Sequence, residues 1–439
     1  MGFYPFGDKS ILVWDMNWQY VSFFSWLTRT IRETTADSIF YSFSISYGSS
    51  TLGLLGYYLL SPFNVILLLF DTVNLPLGLW IVTILKLSCC GLTMYLFLAR
   101  SFEQNRKDFL LFSTSYAVMG YNVAQMQNIM WIDAVILLPL VALGIKNYVK
   151  KKKFGLFVLS LAAAVAINFY TGYMLCLFSA IYLLAEVALD SEQFVFKKIF
   201  KKYFGGLFYI VLAVMMSGFS LLPVYYEISG SRMKESSLRS TFYMLKNLDS
   251  RMWELGNKLC IGTYNVHQLK SGLPNIYAGC LCFVLFILFF VSRKYKVSKK
   301  EKIIYAITCV VLLLSFVSVG VNMIWHGFAQ ANGSPYRYSF FVSFLMIEIA
   351  SRQYLKIQEG QEMVRKKDAA ELVNIGIAAI LGAFLLYKGF VQYKIDESDY
   401  LNLSQILLTV GFILVWFVLL KLRKSHKMMI GTYKSYCML

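Results

Sequence analysis

Long unbroken apolar runs alternate with short basic or aromatic-polar segments along nearly all of the 439 residues. Runs near 20 residues suit helices that cross a hydrocarbon layer of roughly 30 Å. They lack period-two alternation, which excludes a transmembrane β-barrel. The pattern predicts about eleven crossings, near 77–99, 108–121, 132–148, 154–168, 172–190, 203–224, 276–292, 303–321, 337–351, 370–389 and 403–420. Residues 1–50 are polar-aromatic and carry no span. Residues 51–70, interrupted by Gly53, Gly56 and Pro62, read as an interfacial or re-entrant segment.

Charge then gives the bundle a direction. Basic clusters at Arg100 to Lys107, Lys150 to Lys153, Lys197 to Lys202, Arg293 to Lys300, Arg352 to Lys367 and Lys421 to Lys424 occupy every second loop, so those loops face the cytoplasm. The intervening loops, 1–75, 122–131, 168–172, 225–275, 322–336 and 390–402, face outside. The net charge of +18 is thereby spent on topology and does not mark a nucleic-acid binder. With 58% hydrophobic residues the chain is an all-α polytopic membrane protein. Its expected divisions are an outer loop with a juxtamembrane segment (1–75), a first transmembrane module (76–224), an outer loop (225–275), a second module (276–422) and a cytoplasmic tail (423–439). An odd number of crossings with an inner C-terminus puts residue 1 outside. A hydrophobic signal-anchor ahead of residue 1, and a tail continuing past 439, are therefore expected.

Cysteine and histidine exclude some chemistry. Cys89, Cys90, Cys176, Cys280, Cys282 and Cys309 lie within apolar runs, where a thiol behaves as a small hydrophobe, and Cys260 lies in a long polar loop. No CxxC or clustered Cys/His pattern suggests zinc, and the three histidines, His267, His326 and His426, are far apart.

The candidate chemistry sits at the outer ends of helices. Asp15, Asn17 and Gln19 lie among Trp14, Trp18 and Tyr20; Asp133 follows Asn128 and Trp131. Asn168, Tyr170 and Tyr173 form one turn, and His326, Tyr336 and Arg337 another. Structural alternatives stand beside each: Trp14, Trp18 and Trp131 as interfacial anchors, Asp133 as a charge complementing a helix dipole, and Arg337 in an ion pair. Lys86 and Glu348, inside apolar runs, read as structural. Four loops thus bring acid, amide, aromatic and cationic groups to one face. Such a cleft suits the apolar faces and hydroxyls of a sugar.

Five blocks in order, over residues 1 to about 350, resemble the bacterial YfhO membrane proteins. They are Pro5-Phe6-Gly7-Asp8-Lys9-Ser10 with Asp15-Met16-Asn17; Asn128-Ile129-Met130-Trp131-Ile132-Asp133-Ala134 through Leu137-Leu138-Pro139; Asn168-Phe169-Tyr170-Thr171-Gly172-Tyr173; Leu273-Pro274-Asn275-Ile276-Tyr277; and Trp325-His326-Gly327-Phe328 with Pro335-Tyr336-Arg337-Tyr338-Ser339-Phe340. The resemblance implies a GT-C-like bundle and a glycosyltransferase that takes a sugar from undecaprenyl phosphate at the outer face of a Gram-positive cell membrane. The acceptor it implies is a cell-wall polymer such as lipoteichoic acid. In that pattern the acid of the first outer loop, here Asp15, is the catalytic base, and Asp133 is the second candidate. Relative to the family pattern the chain is short at both ends, and 329–334 is more degenerate than expected.

The sequence reading is therefore inverting sugar transfer. Asp15 removes the acceptor proton. Asp133 positions a substrate, with a divalent cation as a candidate intermediary and no other cofactor named. Arg337, helped by His326, holds the departing phosphate, and Asn17, Gln19, Asn168, Tyr170 and Tyr336 line the site. A flippase or transporter of lipid-linked saccharides, and a non-catalytic envelope scaffold, remain as alternatives.

Overall fold

The computed structural model describes residues 7–33, 38–45, 48–191, 196–230, 238–265, 268, 271–292, 297–363 and 403–422. The expected span at 370–389, the loop at 390–402, the tail at 423–439 and the residues Pro5 and Phe6 lie outside the described residues. Within them helix dominates. The one sheet among the described residues is a two-residue ribbon, Tyr41–Ser42 against Ser49–Ser50.

Among the described residues, four helices are long and apolar enough to cross a membrane: Leu75–Ser101, Ile132–Lys151, Phe169–Asp190 and Phe196–Met216. The first has 27 residues, about 40 Å at 1.5 Å per residue. Gly155–Ile167, Cys280–Val291 and Ser404–Trp416 are shorter apolar helices. Lys299–Val317 and Phe340–Met363 overlap two more expected crossings; the first carries its charges in its opening turn, the second has charged residues from Glu348 onward. Full-length apolar helices thus account for only part of the eleven crossings.

Two expected spans take a different form, each for a local reason. The run near 108–121 yields only Phe109–Ala117, nine residues. There the Asn122 amide donates to the carbonyls of Tyr116 (3.0 Å) and Ala117 (2.9 Å), and Gly120 N–H turns away to Tyr277 O at 2.8 Å. A short amide that competes for backbone carbonyls is a helix terminator. The run near 203–224 divides into Phe196–Met216 and Gly218–Gly230 at Ser217, whose buried hydroxyl donates to Ala162 O at 2.9 Å.

The 51–70 segment is a bent pair, Leu52–Leu59 and Pro62–Leu69, with axes 91° apart. Ser61 is extended, φ −63° and ψ 128°, as a residue before proline prefers. Ahead of it, Val21–Arg32 is a 12-residue amphipathic helix that buries Phe24, Trp26 and Leu27 and carries Arg29 and Arg32 in its last turn, where cations favour the helix dipole.

Ile132–Lys151 is the hub, packed against Leu75–Ser101, Gly155–Ile167 and Phe169–Asp190. Val135, Leu138 and Val141 are fully buried in its core. Gly144 lies against the Phe157 backbone, with no room for a Cβ. At the end of the hub nearest the Lys150 to Lys153 turn, the Lys146 ammonium pairs with Glu186 (2.6 Å) and Glu348 (2.9 Å), and the Tyr182 hydroxyl donates to Glu348 at 2.9 Å. These buried charges are compensated within the cluster, as charges in an apolar bundle must be. Glu348 is accordingly structural.

A second, smaller core lies at the opposite end. It joins Met16, Tyr20 and Phe24 from the N-terminal segment to Leu67, Leu75 and Trp131. This cap holds the N-terminal segment against the start of the hub helix.

Candidate functional site

The chain turns into the cap through Trp14, at φ 50°, and enters a tight π-helical turn, Met16–Tyr20. Met16 and Tyr20 point inward; Asp15, Asn17, Trp18 and Gln19 are exposed on the other side. Among the described residues the Asp15 carboxylate has one hydrogen-bond partner, the Tyr20 hydroxyl at 3.3 Å. That hydroxyl is also 3.0 Å from Asn128 Oδ1. Burial, helped by the Asp15 charge, pushes the Tyr20 phenol well above its ordinary range, so it remains a proton donor.

An aromatic wall runs from Tyr20 across the cap. Tyr20 packs on Tyr58 (5.3 Å between ring centroids), Tyr58 on Tyr57 (4.5 Å), and Tyr57 on Tyr170 (6.0 Å). Trp131 Nε1 donates to the Tyr57 hydroxyl at 3.2 Å. The Arg337 guanidinium closes the wall, 4.7 Å from the Trp131 ring and 5.1 Å from the Tyr170 ring. Its Nη2 donates to the carbonyls of Asn332 (2.9 Å) and Gly333 (3.1 Å), and its Nε is buried with no hydrogen-bond partner among the described residues. Among the described residues no carboxylate pairs with it. A cation stacked on two rings with unspent donors is suited to an anion.

His326 lies beside this group, its ring 6.1 Å from Tyr170. Its Nδ1 is 2.8 Å from Asn322 O, a pure acceptor, so Nδ1 carries the proton and Nε2 presents a lone pair. Among the described residues Nε2 is buried with no hydrogen-bond partner, as is the Tyr121 hydroxyl. Burial lowers the His326 pKa to about 4, with the Arg337 charge adding to the shift. The ring is therefore neutral near pH 7 and can accept, not donate, at Nε2. The unfolded value is roughly 6.5. The folded value lies below it, so stability is full above the unfolded pKa and falls as pH drops toward the folded one. Unfolding midpoints of the purified protein between pH 4 and 7 should show that slope, and His326→Gln should flatten it.

The remaining expected site residues are already engaged. Asp133 Oδ2 pairs with Lys86 Nζ at 2.6 Å, and Oδ1 accepts from Ser61 at 2.9 Å. Lys86 also donates to Ile129 O at 2.9 Å. The ammonium takes the place a divalent cation would need at Asp133, and no group of three or more metal-ligating side chains occurs among the described residues. The residues do not fit a bound cation there. Asn168 caps the Phe169–Asp190 helix, accepting from Thr171 N–H at 2.9 Å and donating to Tyr57 O at 2.7 Å. The Tyr336 hydroxyl donates to Asp249 at 2.7 Å. Asp249 is held down at about 2, chiefly by hydrogen bonds from the Arg251 side chain.

The structure thus brings Asp15, Tyr170, His326 and Arg337 to one aromatic wall, with Asn17 and Gln19 exposed beside Asp15. It places Asp133, Asn168 and Tyr336 in supporting contacts. Tyr20, Tyr57, Tyr58 and Tyr121 join the site without having been singled out. Tyr57 and Tyr58 sit in a segment whose composition reads only as interfacial, and Tyr121 carries no motif signal.

A mostly helical chain with several helices long and apolar enough to cross a membrane fits a membrane location. The family model described as "Bacterial membrane protein YfhO" matches residues 1–436, and the chain belongs to that family. No match was found among curated proteins or among solved structures.

Proposed function

We propose that the protein moves a sugar from an undecaprenyl-phosphate carrier to an extracytoplasmic hydroxyl, such as one on a teichoic-acid or other cell-wall polymer. One observation carries the reading: an exposed carboxylate, Asp15, and a guanidinium with no carboxylate partner among the described residues, Arg337, stand at the two ends of one aromatic wall. Asp15 takes the acceptor proton while the acceptor oxygen attacks the anomeric carbon. The bond from that carbon to the phosphate oxygen breaks with inversion, and the freed charge meets Arg337. The wall stacks against the sugar ring, and His326, as a neutral acceptor, receives a sugar hydroxyl and not the phosphate. Asn17 and Gln19 line the approach to Asp15. Asp133, Asn168 and Tyr336 position the elements around them. In this reading the chain crosses the membrane about eleven times with the cap outside.

Arg337→Lys should weaken undecaprenyl phosphate binding by at least about tenfold, because a lysine keeps the charge but loses the planar fork and the stacking. Equilibrium binding of the carrier to purified protein reads this directly.

The bent pair favours a second reading. Its break at Ser61 meets Asp133 and Lys86, and transporters build binding sites from interrupted helices. Purified protein supplied with radiolabelled undecaprenyl-phosphate sugar and acceptor separates the two. Acceptor-dependent transfer supports the transferase; movement of lipid-linked sugar in liposomes without transfer supports the transporter.

A further inference from the structure

A single hydrogen-bonded path leaves Asp15 and ends in the loop that holds Arg337. The Tyr20 hydroxyl faces Asp15 Oδ2 at 3.3 Å and Asn128 Oδ1 at 3.0 Å. Asn128 Nδ2 donates to Gln125 Oε1 at 2.7 Å, and Gln125 Nε2 donates to Ser334 Oγ at 3.3 Å. All four intermediates are at least nine-tenths buried. Ser334, at φ 45°, follows directly on Asn332 and Gly333, whose carbonyls grip Arg337.

The donor directions make this path sensitive to one proton. Tyr20 has one hydrogen and two acceptors. While Asp15 is ionised, its charge draws that hydrogen, and the link to Asn128 is left without a donor. Once Asp15 is protonated it donates to the Tyr20 oxygen, and the Tyr20 hydrogen is free for Asn128. Every bond from Asp15 to Ser334 then runs in one direction, an arrangement in which each link strengthens the next. Tyr57 and Tyr58 are the other titratable groups that feel Asp15 across the wall, and Arg337 acts on the same two rings.

We propose that Tyr20 is a positioning residue that relays the protonation of Asp15, through Asn128 and Gln125, to the Ser334 loop and so to Arg337. The inference rests on Asp15 acting as the proton acceptor. Proton uptake during transfer then tightens the grip on the guanidinium as the phosphate departs.

The test needs no turnover. Hydrogen exchange, read by mass spectrometry on the peptide covering 329–338 of the purified chain, reports the loop. Asp15→Asn supplies a permanent amide donor to Tyr20 and should slow exchange in that peptide by about fivefold or more, the lower range of ordinary site coupling. The slowing should vanish when Tyr20→Phe is added. Gln125→Leu, which cuts the path in the middle and leaves the Asp15 to Tyr20 contact, should abolish it as well. Slowing of equal size in either background overturns the relay, because loss of charge alone would then explain it; no slowing with Asp15→Asn overturns it too. Failure of sugar transfer in the assay above, with the exchange pattern intact, refutes the transferase and not the relay.

Discussion

Lys86→Met is expected to destabilise the folded protein by about 3–5 kcal/mol, the usual consequence of stripping one partner from a buried ion pair. Lys86 is 1% exposed and Asp133 3%. The ammonium binds Asp133 Oδ2 and Ile129 O and lies 5.5 Å from the Phe63 ring. Three segments meet there: the Leu75–Ser101 helix, the start of the hub helix, and the bent pair through Ser61 and Phe63. Removal of the cation leaves a carboxylate in an apolar bundle with only the Ser61 hydroxyl. The thermal unfolding midpoint in detergent should fall, and less monodisperse protein should be recovered. Adding Asp133→Leu should restore much of the loss, because an apolar pair needs no compensation. A double variant as unstable as the single one would show that the pair supplies more than charge balance.

Asp15→Asn should act in the opposite register, on chemistry and not on the fold. Asp15 is exposed and makes one long contact, so the unfolding midpoint should hold. Sugar transfer should fall by roughly 10²–10⁴-fold, the range for loss of a positioned general base. Steady-state transfer with purified wild type and variant reads the ratio, with carrier binding measured alongside. Unchanged transfer in a stable variant would remove Asp15 from the mechanism.

The legible part of the sequence was what burial and charge dictate locally. The apolar runs place three of the four long apolar helices to within a few residues, the fourth, Phe196–Met216, being shifted from the expected 203–224, and Gly53, Gly56 and Pro62 announce the bend in 51–70. Asp15, Tyr170, His326 and Arg337, named from aromatic-polar turns, do share one wall. What the sequence hid was pairing at a distance. Nothing local says that Lys86 lies beside Asp133, 47 positions away, so the pairing of that carboxylate is not legible in the sequence. The Asn168 contact to Tyr57 and the Tyr336 contact to Asp249 are likewise set by residues distant in sequence. The direction of His326 depends on a carbonyl one turn back, at Asn322, and this decides between donor and acceptor. Helix breaks at Asn122 and Ser217 come from side chains that reach for backbone carbonyls, a contest that hydropathy does not register.

The central claim is that Asp15 and Arg337 frame one catalytic site on the outer face. Its most direct test is transfer from radiolabelled undecaprenyl-phosphate sugar to a membrane-impermeant acceptor, added to right-side-out and to inverted vesicles. The account predicts labelled acceptor only outside right-side-out vesicles, and its loss in Asp15→Asn and Arg337→Lys vesicles alike. Label reaching acceptor on the cytoplasmic side, or persisting in both variants, would contradict it.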